Sequence, residues 1–164
     1  RVEKRPMSIA GRLETYLKAR SIDYELVPHA HTESSMVTAA AAHIPGDRLA
    51  KAVIINDGDT YLMVVVPSDY HVQLGALHRQ LGREVGLATE PELVTLFPDC
   101  DEGAAPPVGA AYGLKAMVDQ RLLEQPEVFF VAGDHEHLVK VSGPQFKILQ
   151  ADAEPVDVAR HIRS

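Results

Sequence analysis

Apolar positions recur along the chain in two periods, and the switches between them mark its elements. Over residues 8–20, Ile9, Leu13, Tyr16 and Leu17 share one helical face, with Ser8 placed as the N-cap. A strand is expected at residues 24–27. Ser34 and Ser35 precede an alanine-rich short helix at 38–42, which Ile44-Pro45-Gly46 must end because proline lacks an amide donor and glycine favours the turn. Apolar runs at 50–55 and 61–66 flank Asn56-Asp57-Gly58-Asp59, the pattern of a β-hairpin. From Asp69 onward, Val72, Leu74, Leu77, His78 and Leu81 suggest a helix closed by Gly82, with His71 and His78 on one face. Thr89-Glu90-Pro91-Glu92 reads as a capping box opening a helix to about Phe97. Residues 98–113 hold three prolines and three glycines without periodicity and read as a structured loop, of a length often functional in a small domain. Short strands at 116–118, 128–132 and 138–141 and a helical or turn segment from 144 to 149 complete the pattern. Strands and helices mixed without regular βαβ alternation predict an α+β domain around a mixed, mostly antiparallel sheet.

Composition narrows this picture without changing it. The 164 residues, 46% apolar and 24% charged, suit one globular domain at 8–150 with an N-terminal tail, 1–7, and a C-terminal tail, 151–164. The apolar runs at 61–67 and 128–132 fall far short of the roughly 20 residues that cross a bilayer, so no membrane span is expected. Arg1, Glu3, Lys4 and Arg5 lead into no apolar signal region, and the single cysteine, Cys100, permits no intramolecular disulfide, which together suggest the cytoplasm. Sixteen Lys and Arg against 23 Asp and Glu give a net charge of −7, which argues against a broad polyanion-binding surface and against DNA as a partner. A local basic pocket that grips the end of an RNA stays compatible with that charge.

The candidate chemistry lies in three places. Lys51 stands at the start of the apolar run Ala52-Val53-Ile54-Ile55, with Arg48 three residues before it. The residues alone favour an edge-strand lysine that guards against strand pairing, and Arg48 could equally be a solvated arginine. Gly103-Ala104-Ala105-Pro106-Pro107-Val108-Gly109 is either an ordinary turn or a stiffened loop whose backbone amides approach a ligand closely. Phe129-Phe130-Val131-Ala132-Gly133 leads toward His135. Cys100 sits among Asp99, Asp101 and Glu102, whose charges oppose a thiolate, and no Gly-x-Ser-x-Gly elbow occurs, so covalent catalysis is not favoured. His29-x-His31 and His135-x-His137 allow a metal-hydrolase alternative, but without further ligand motifs they read as surface or hydrogen-bonding histidines.

The order and separation of these three patterns resemble the YbaK/ProX family of aminoacyl-tRNA deacylases, related to the editing domain inserted in bacterial prolyl-tRNA synthetases. The resemblance runs from about Ser8 to Leu149. It places Lys51 at the family's functional lysine and Gly103, Pro107 and Gly109 on its glycine-x-x-x-proline loop and the glycine two residues on. It implies a curved mixed sheet, hydrolysis of the ester joining a mischarged amino acid to tRNA, no cofactor and no metal. A positioned water would attack, helped by the terminal ribose, with Lys51 and Gly103 as catalytic candidates. Arg48, Ala104, Ala105, Pro106, Pro107, Gly109 and His135 are the substrate-binding candidates. The expected partners are the acceptor end of a mischarged tRNA and a synthetase. Family loops often carry an aromatic residue where this chain has Val108, and the Pro106-Pro107 pair adds stiffness. The amino acid is expected to be small, with alanine, serine, threonine and cysteine all open. A noncatalytic module that binds an aminoacylated or nucleotide-like ligand is the competing reading.

Overall fold

The hairpin predicted around Asn56-Asp57-Gly58-Asp59 is the centre of the structure, a computed structural model that describes residues 9–32 and 34–162. Before it come helix α1 (Gly11–Ala19), strand β1 (Glu25–Pro28), helix α2 (Ser35–Ala41) and a 3₁₀ turn at Gly46–Arg48. The hairpin itself is β2 (Leu49–Asn56) and β3 (Tyr61–Pro67), paired antiparallel from Ala50 with Pro67 to Asn56 with Tyr61. Asp57 Oδ1 ties the turn by accepting the Asp59 and Thr60 N–H groups. Next follow β4 (Tyr70–Val72), α3 (Leu74–Leu81), β5 (Gly86–Leu87) and α4 (Glu90–Leu96). After a loop and a second 3₁₀ turn, Gly109–Tyr112, the chain continues through β6 (Lys115–Asp119), α5 (Gln120–Leu123), β7 (Glu127–Val131), β8 (His137–Ser142), α6 (Gly143–Leu149), β9 (Glu154–Val156) and β10 (Ala159–His161).

The main sheet runs β1-β8-β7-β2-β3-β6-β9, with β5 added to β2. Its pairings are antiparallel for β1/β8, β7/β8, β2/β3 and β2/β5, and parallel for β2/β7, β3/β6 and β6/β9. This is the α+β mixed-sheet class read from the sequence. β3 lies inside the sheet and is buried on both faces, which is why Leu62 to Val66 is an unbroken apolar run and not an alternating one. Met63 and Val65 face the larger core, with Leu13 and Leu17 of α1, Phe130 and Phe146. Leu62, Val64 and Val66 face a second core, with Leu77 and Val156.

Three sequence expectations change. Residues 154–161, within the segment expected to be a tail, form β9 beside β6 and β10 beside β4. The strand β4 that β10 captures is the stretch where a helix was expected from Asp69 onward. His71 therefore lies on a strand and His78 on α3, not on one helical face. Short strands of this kind owe their state to a distant partner, which local periodicity does not reveal. The helix α2 begins at Ser35, earlier than expected, because Ser34 caps it by accepting the Val37 N–H. The capping box of α4 forms as read: Thr89 accepts from the Glu92 N–H, and Glu92 accepts from the Thr89 N–H at 2.7 Å. Gly82 closes α3 at φ +74°. The 1–7 tail and the Ser8 cap lie outside the described residues.

Candidate functional site

A gap in the sheet makes the site. β2 pairs with β7 only at Leu49 and Ala50, and with β5 only at Ile55 and Asn56. Residues 51–54 thus have no strand on that edge, and a cavity of about 360 Å³ opens beside them. Leu49 O accepts the Ser68 N–H on the β3 side, whereas Ile54 O accepts the Ala88 N–H on the opposite side. Successive residues of a strand alternate their backbone groups between its two edges. The N–H and C=O of Ala52 therefore face the open edge, where a ligand's polar groups can complete the ladder. Leu93 of α4 and Phe97, which follows that helix, supply an apolar wall, and Ser34, the N-cap of α2, and Thr38 within it line another part of the rim.

Lys51 lines this cavity and donates through Nζ to the Ser68 carbonyl at 3.3 Å. Burial holds its amine below the usual lysine range, and the charge of Asp69 opposes that shift. The half-desolvated cation is thus a stronger local charge than a solvated lysine, because less water screens it.

The 98–113 loop brings Cys100, Asp101, Glu102, Gly103 and Ala105 to the cavity. It is anchored where the Asp101 N–H donates to Gly133 O at 2.7 Å and turns where the Ala104 N–H donates to Asp101 O at 3.0 Å. Gly103 adopts φ +81°, a conformation that side chains disfavour, with His135 beside it. The N–H groups of Glu102, Gly103 and Ala105 have no hydrogen-bond partner among the described residues. Gly133 has a packing reason of its own: at φ +117°, a Cβ there would stand 2.7 Å from the Ala10 Cβ, where α1 begins. That contact, and the bond from Ala10 N–H to Ala132 O at 2.7 Å, fix the turn that carries His135. His135 lines the cavity and shares a 2.6 Å hydrogen bond between Nε2 and Glu102 O. A carbonyl only accepts, so Nε2 carries the proton.

The other sequence candidates lie away from the cavity wall. Arg48 pairs with Glu127 at 3.7 Å and is not a lining residue. Ala104 is fully buried in the loop turn, and Pro106 is also buried. Pro107 accepts at its carbonyl from Gln150 Nε2 at 2.7 Å. Gly109 packs so tightly that a Cβ would stand 3.0 Å from Leu114 O. These positions hold the loop in shape while Gly103 and Ala105 meet the cavity. The walls that sequence reading missed, the Ala52 edge and Leu93 with Phe97, carry ordinary core residues, and only the missing strand partner marks them.

Cys100 lines the cavity, but its Sγ lies 3.4 Å from both Asp99 Oδ1 and the Tyr112 hydroxyl. Burial first, with the acidic neighbours adding to it, pushes its thiol up to about 12. Tyr112 donates to Asp99 Oδ1 at 3.0 Å, and burial raises its phenol as well. The thiol therefore stays protonated near neutrality. Alkylation of Cys100 by iodoacetamide at pH 7.5 should be at least tenfold slower than that of an unhindered cysteine peptide; equal rates, followed by intact-mass spectrometry, would contradict this environment.

The histidine pairs are tied locally. His29 Nδ1 lies 2.6 Å from Ala30 O, His31 Nδ1 3.3 Å from Glu136 Oε2, and His137 Nδ1 2.9 Å from Asp134 Oδ2. Among the described residues no three His, Cys, Asp or Glu side chains converge as a metal site, and no helix is long and apolar enough to cross a membrane.

Comparison with known proteins gives the chain its relatives. A family model described as an aminoacyl-tRNA editing domain matches residues 29–148. Among solved structures, a proposed trans-editing enzyme for prolyl-tRNA synthetase superposes with a TM-score of 0.81 at 23% identity, covering 96% of this chain and 99% of that one. A hypothetical protein, APE2540, superposes with a TM-score of 0.79 at 24% identity, covering 91% of this chain and 99% of that one. At these identities the likeness establishes the fold. No curated protein matches the sequence.

Proposed function

Because the chain belongs to the aminoacyl-tRNA editing domain family, we propose that it acts in trans as a deacylase, hydrolysing the ester of a mischarged tRNA that carries a small amino acid. The observation that carries this reading is the meeting, in one cavity, of the Lys51 cation, the unpartnered loop amides around Gly103 and the open β2 edge. An ester carbonyl seated there has donors for the negative charge that develops on its oxygen.

The chemistry needs no nucleophile from the chain. A water attacks the carbonyl carbon and loses a proton, while the loop amides hold the oxyanion and Lys51 supplies positive charge. The tetrahedral intermediate then breaks its bond to the ribose oxygen, which takes up a proton to leave tRNA and free amino acid. The neighbouring ribose hydroxyl serves as the proton carrier, and His135 borders the substrate. Leu93, Phe97 and Val131 restrict the remaining space and exclude bulky side chains by overlap, a discrimination that the mere absence of a methylene cannot match. Cys100→Ala should accordingly keep most of the turnover, and a folded variant without activity would overturn direct attack by water.

A protein of net charge −7 has little general attraction for a phosphate backbone. Binding should therefore be weak, confined to the acceptor end and strengthened by a synthetase partner, as suits a translation factor of the cytoplasm. Footprinting on full-length tRNA tests this: protection limited to the acceptor end is expected, and an extended, strongly salt-dependent footprint contradicts it. The reaction itself is tested by amino-acid release from a panel of mischarged tRNAs. Saturable binding without release would favour a noncatalytic module.

A further inference from the structure

Helix α4 bounds the cavity, yet none of its own residues is buried. Its place on the sheet is set from its two ends. After the C-terminal end, Phe97 is buried and packs its ring against Tyr112, with centroids 4.8 Å apart. Before the N-terminal end, β5 pairs with β2 at Ile55 and Asn56, and the Ala88 N–H donates to Ile54 O at 2.9 Å. There the chain leaves the β2 edge, α4 begins, and the cavity opens between them.

One carboxylate joins the helix to the hairpin at this point. Glu92 Oε1 accepts the Thr89 N–H at 2.7 Å and the Thr89 hydroxyl at 3.0 Å, as part of the capping box. Glu92 Oε2 turns the other way, accepting from Asn56 Nδ2 of β2 at 3.1 Å and from the Tyr61 hydroxyl of β3. Asn56 is itself fixed, because its Oδ1 accepts the Gly58 N–H at 2.8 Å in the turn. A capping box needs only the first set of bonds. The second set is a latch across the fold, and bonds to an ionised acceptor are the strong ones. The Thr89 amide first, and then the Tyr61 hydroxyl, hold the Glu92 carboxyl below the usual carboxylate range, which keeps it ionised near neutrality. The next residue, Leu93, lines the cavity, and so does Val94.

We propose that Glu92 is a positioning residue that sets the aminoacyl specificity of the cavity. Its bonds to Asn56 and Tyr61 fix α4, and with it the Leu93 wall, at the distance from the β2 edge that admits small side chains and excludes larger ones. With the latch cut, no buried residue of α4 holds that distance, and the helix swings outward on the Phe97 anchor.

The claim on specificity rests on the deacylase reading, and the claim on the helix does not. Tyr61→Phe removes one hydroxyl from the latch and leaves the ring and the capping box in place. Glu92→Gln keeps the capping box, where glutamine serves as glutamate does, but takes the charge from the latch. In both full-length variants, hydrogen exchange followed by NMR should be about 3–10-fold faster at the Leu93 and Phe97 amides, with the α3 amides unchanged. Valine carries two methyl groups more than alanine, which makes it a sensitive gauge of the wall. The ratio of kcat/KM for alanyl- over valyl-tRNA should fall about 3–10-fold in Tyr61→Phe, through faster valyl release, with kcat for alanyl release within about twofold of the wild type. In a Leu93→Ala background, where the wall is already cut back, Tyr61→Phe should change that ratio by less than about twofold, which a merely structural role would not explain. The same ratio is read without turnover from the affinities of alanine and valine joined by an amide to 3′-amino-3′-deoxyadenosine. Unchanged α4 exchange in both folded variants, an unchanged alanine-to-valine ratio, or an undiminished Tyr61→Phe effect without Leu93 overturns the proposal. Absence of deacylation in the wild type, with α4 exchange and the probe affinities responding as expected, would overturn the enzymatic reading alone.

Discussion

Lys51→Ala is expected to lower deacylation about 10²–10³-fold, the usual effect of removing one well-placed electrostatic donor, while the protein stays folded. The lysine is half-buried at the cavity wall and, among the described residues, bonds only to the Ser68 carbonyl, so its loss removes charge from the site without opening the core. The Ser68 carbonyl it leaves behind belongs to a turn held by Leu49, Gly46 and Ile162, which the substitution does not touch. Lys51→Arg should restore activity only in part, because a planar fork does not occupy the place of a compact ammonium. Single-turnover rates with circular dichroism and thermal melting decide the matter. A folded Lys51→Ala with the wild-type rate would make this an ordinary edge lysine.

Gly103→Val is expected to cost about 10² in kcat, with a loss of about 1–3 kcal/mol in stability from the strained backbone. The position has φ +81°, and a β-branched residue there must either bear that strain or relax the loop toward negative φ. Relaxation swings the amides on both sides of residue 103 away from the cavity and disturbs the Glu102 carbonyl that holds His135. Space alone does not forbid a side chain, since the nearest atom to a Cβ is His135 Cε1 at 3.6 Å. Gly103→Ala should therefore retain more activity than Gly103→Val. Equal, wild-type turnover in both variants would reduce the loop to a structural turn.

How far the sequence reveals this site depends on which interactions are local. The hairpin, the Thr89 capping box and the Gly82 helix stop are set by residues within a few positions of one another, and they form as read. The loop glycine and Lys51 also reach the cavity. The gap that makes the cavity, however, comes from β2 diverging from β7 after Ala50, and Ala52-Val53-Ile54 looks like any core strand. β4, β9 and β10 are three-residue strands that exist through partners far along the chain. Glu92 is legible only by half, because its cap to Thr89 is local, whereas its bonds to Asn56 and Tyr61 depend on where the hairpin lies. Arg48 shows the converse case: near Lys51 in sequence, it turns to Glu127 on β7.

The most direct measurement is the release of labelled amino acid from preformed mischarged tRNAs, with wild-type protein and a no-protein control run side by side on small and bulky aminoacyl groups. The expected result is catalytic, multiple-turnover release of at least one of alanine, serine, threonine or cysteine, with bulky residues such as phenylalanine left on their tRNA. Release no faster than the uncatalysed control across the whole panel, from folded protein, would contradict the assignment of this cavity to ester hydrolysis.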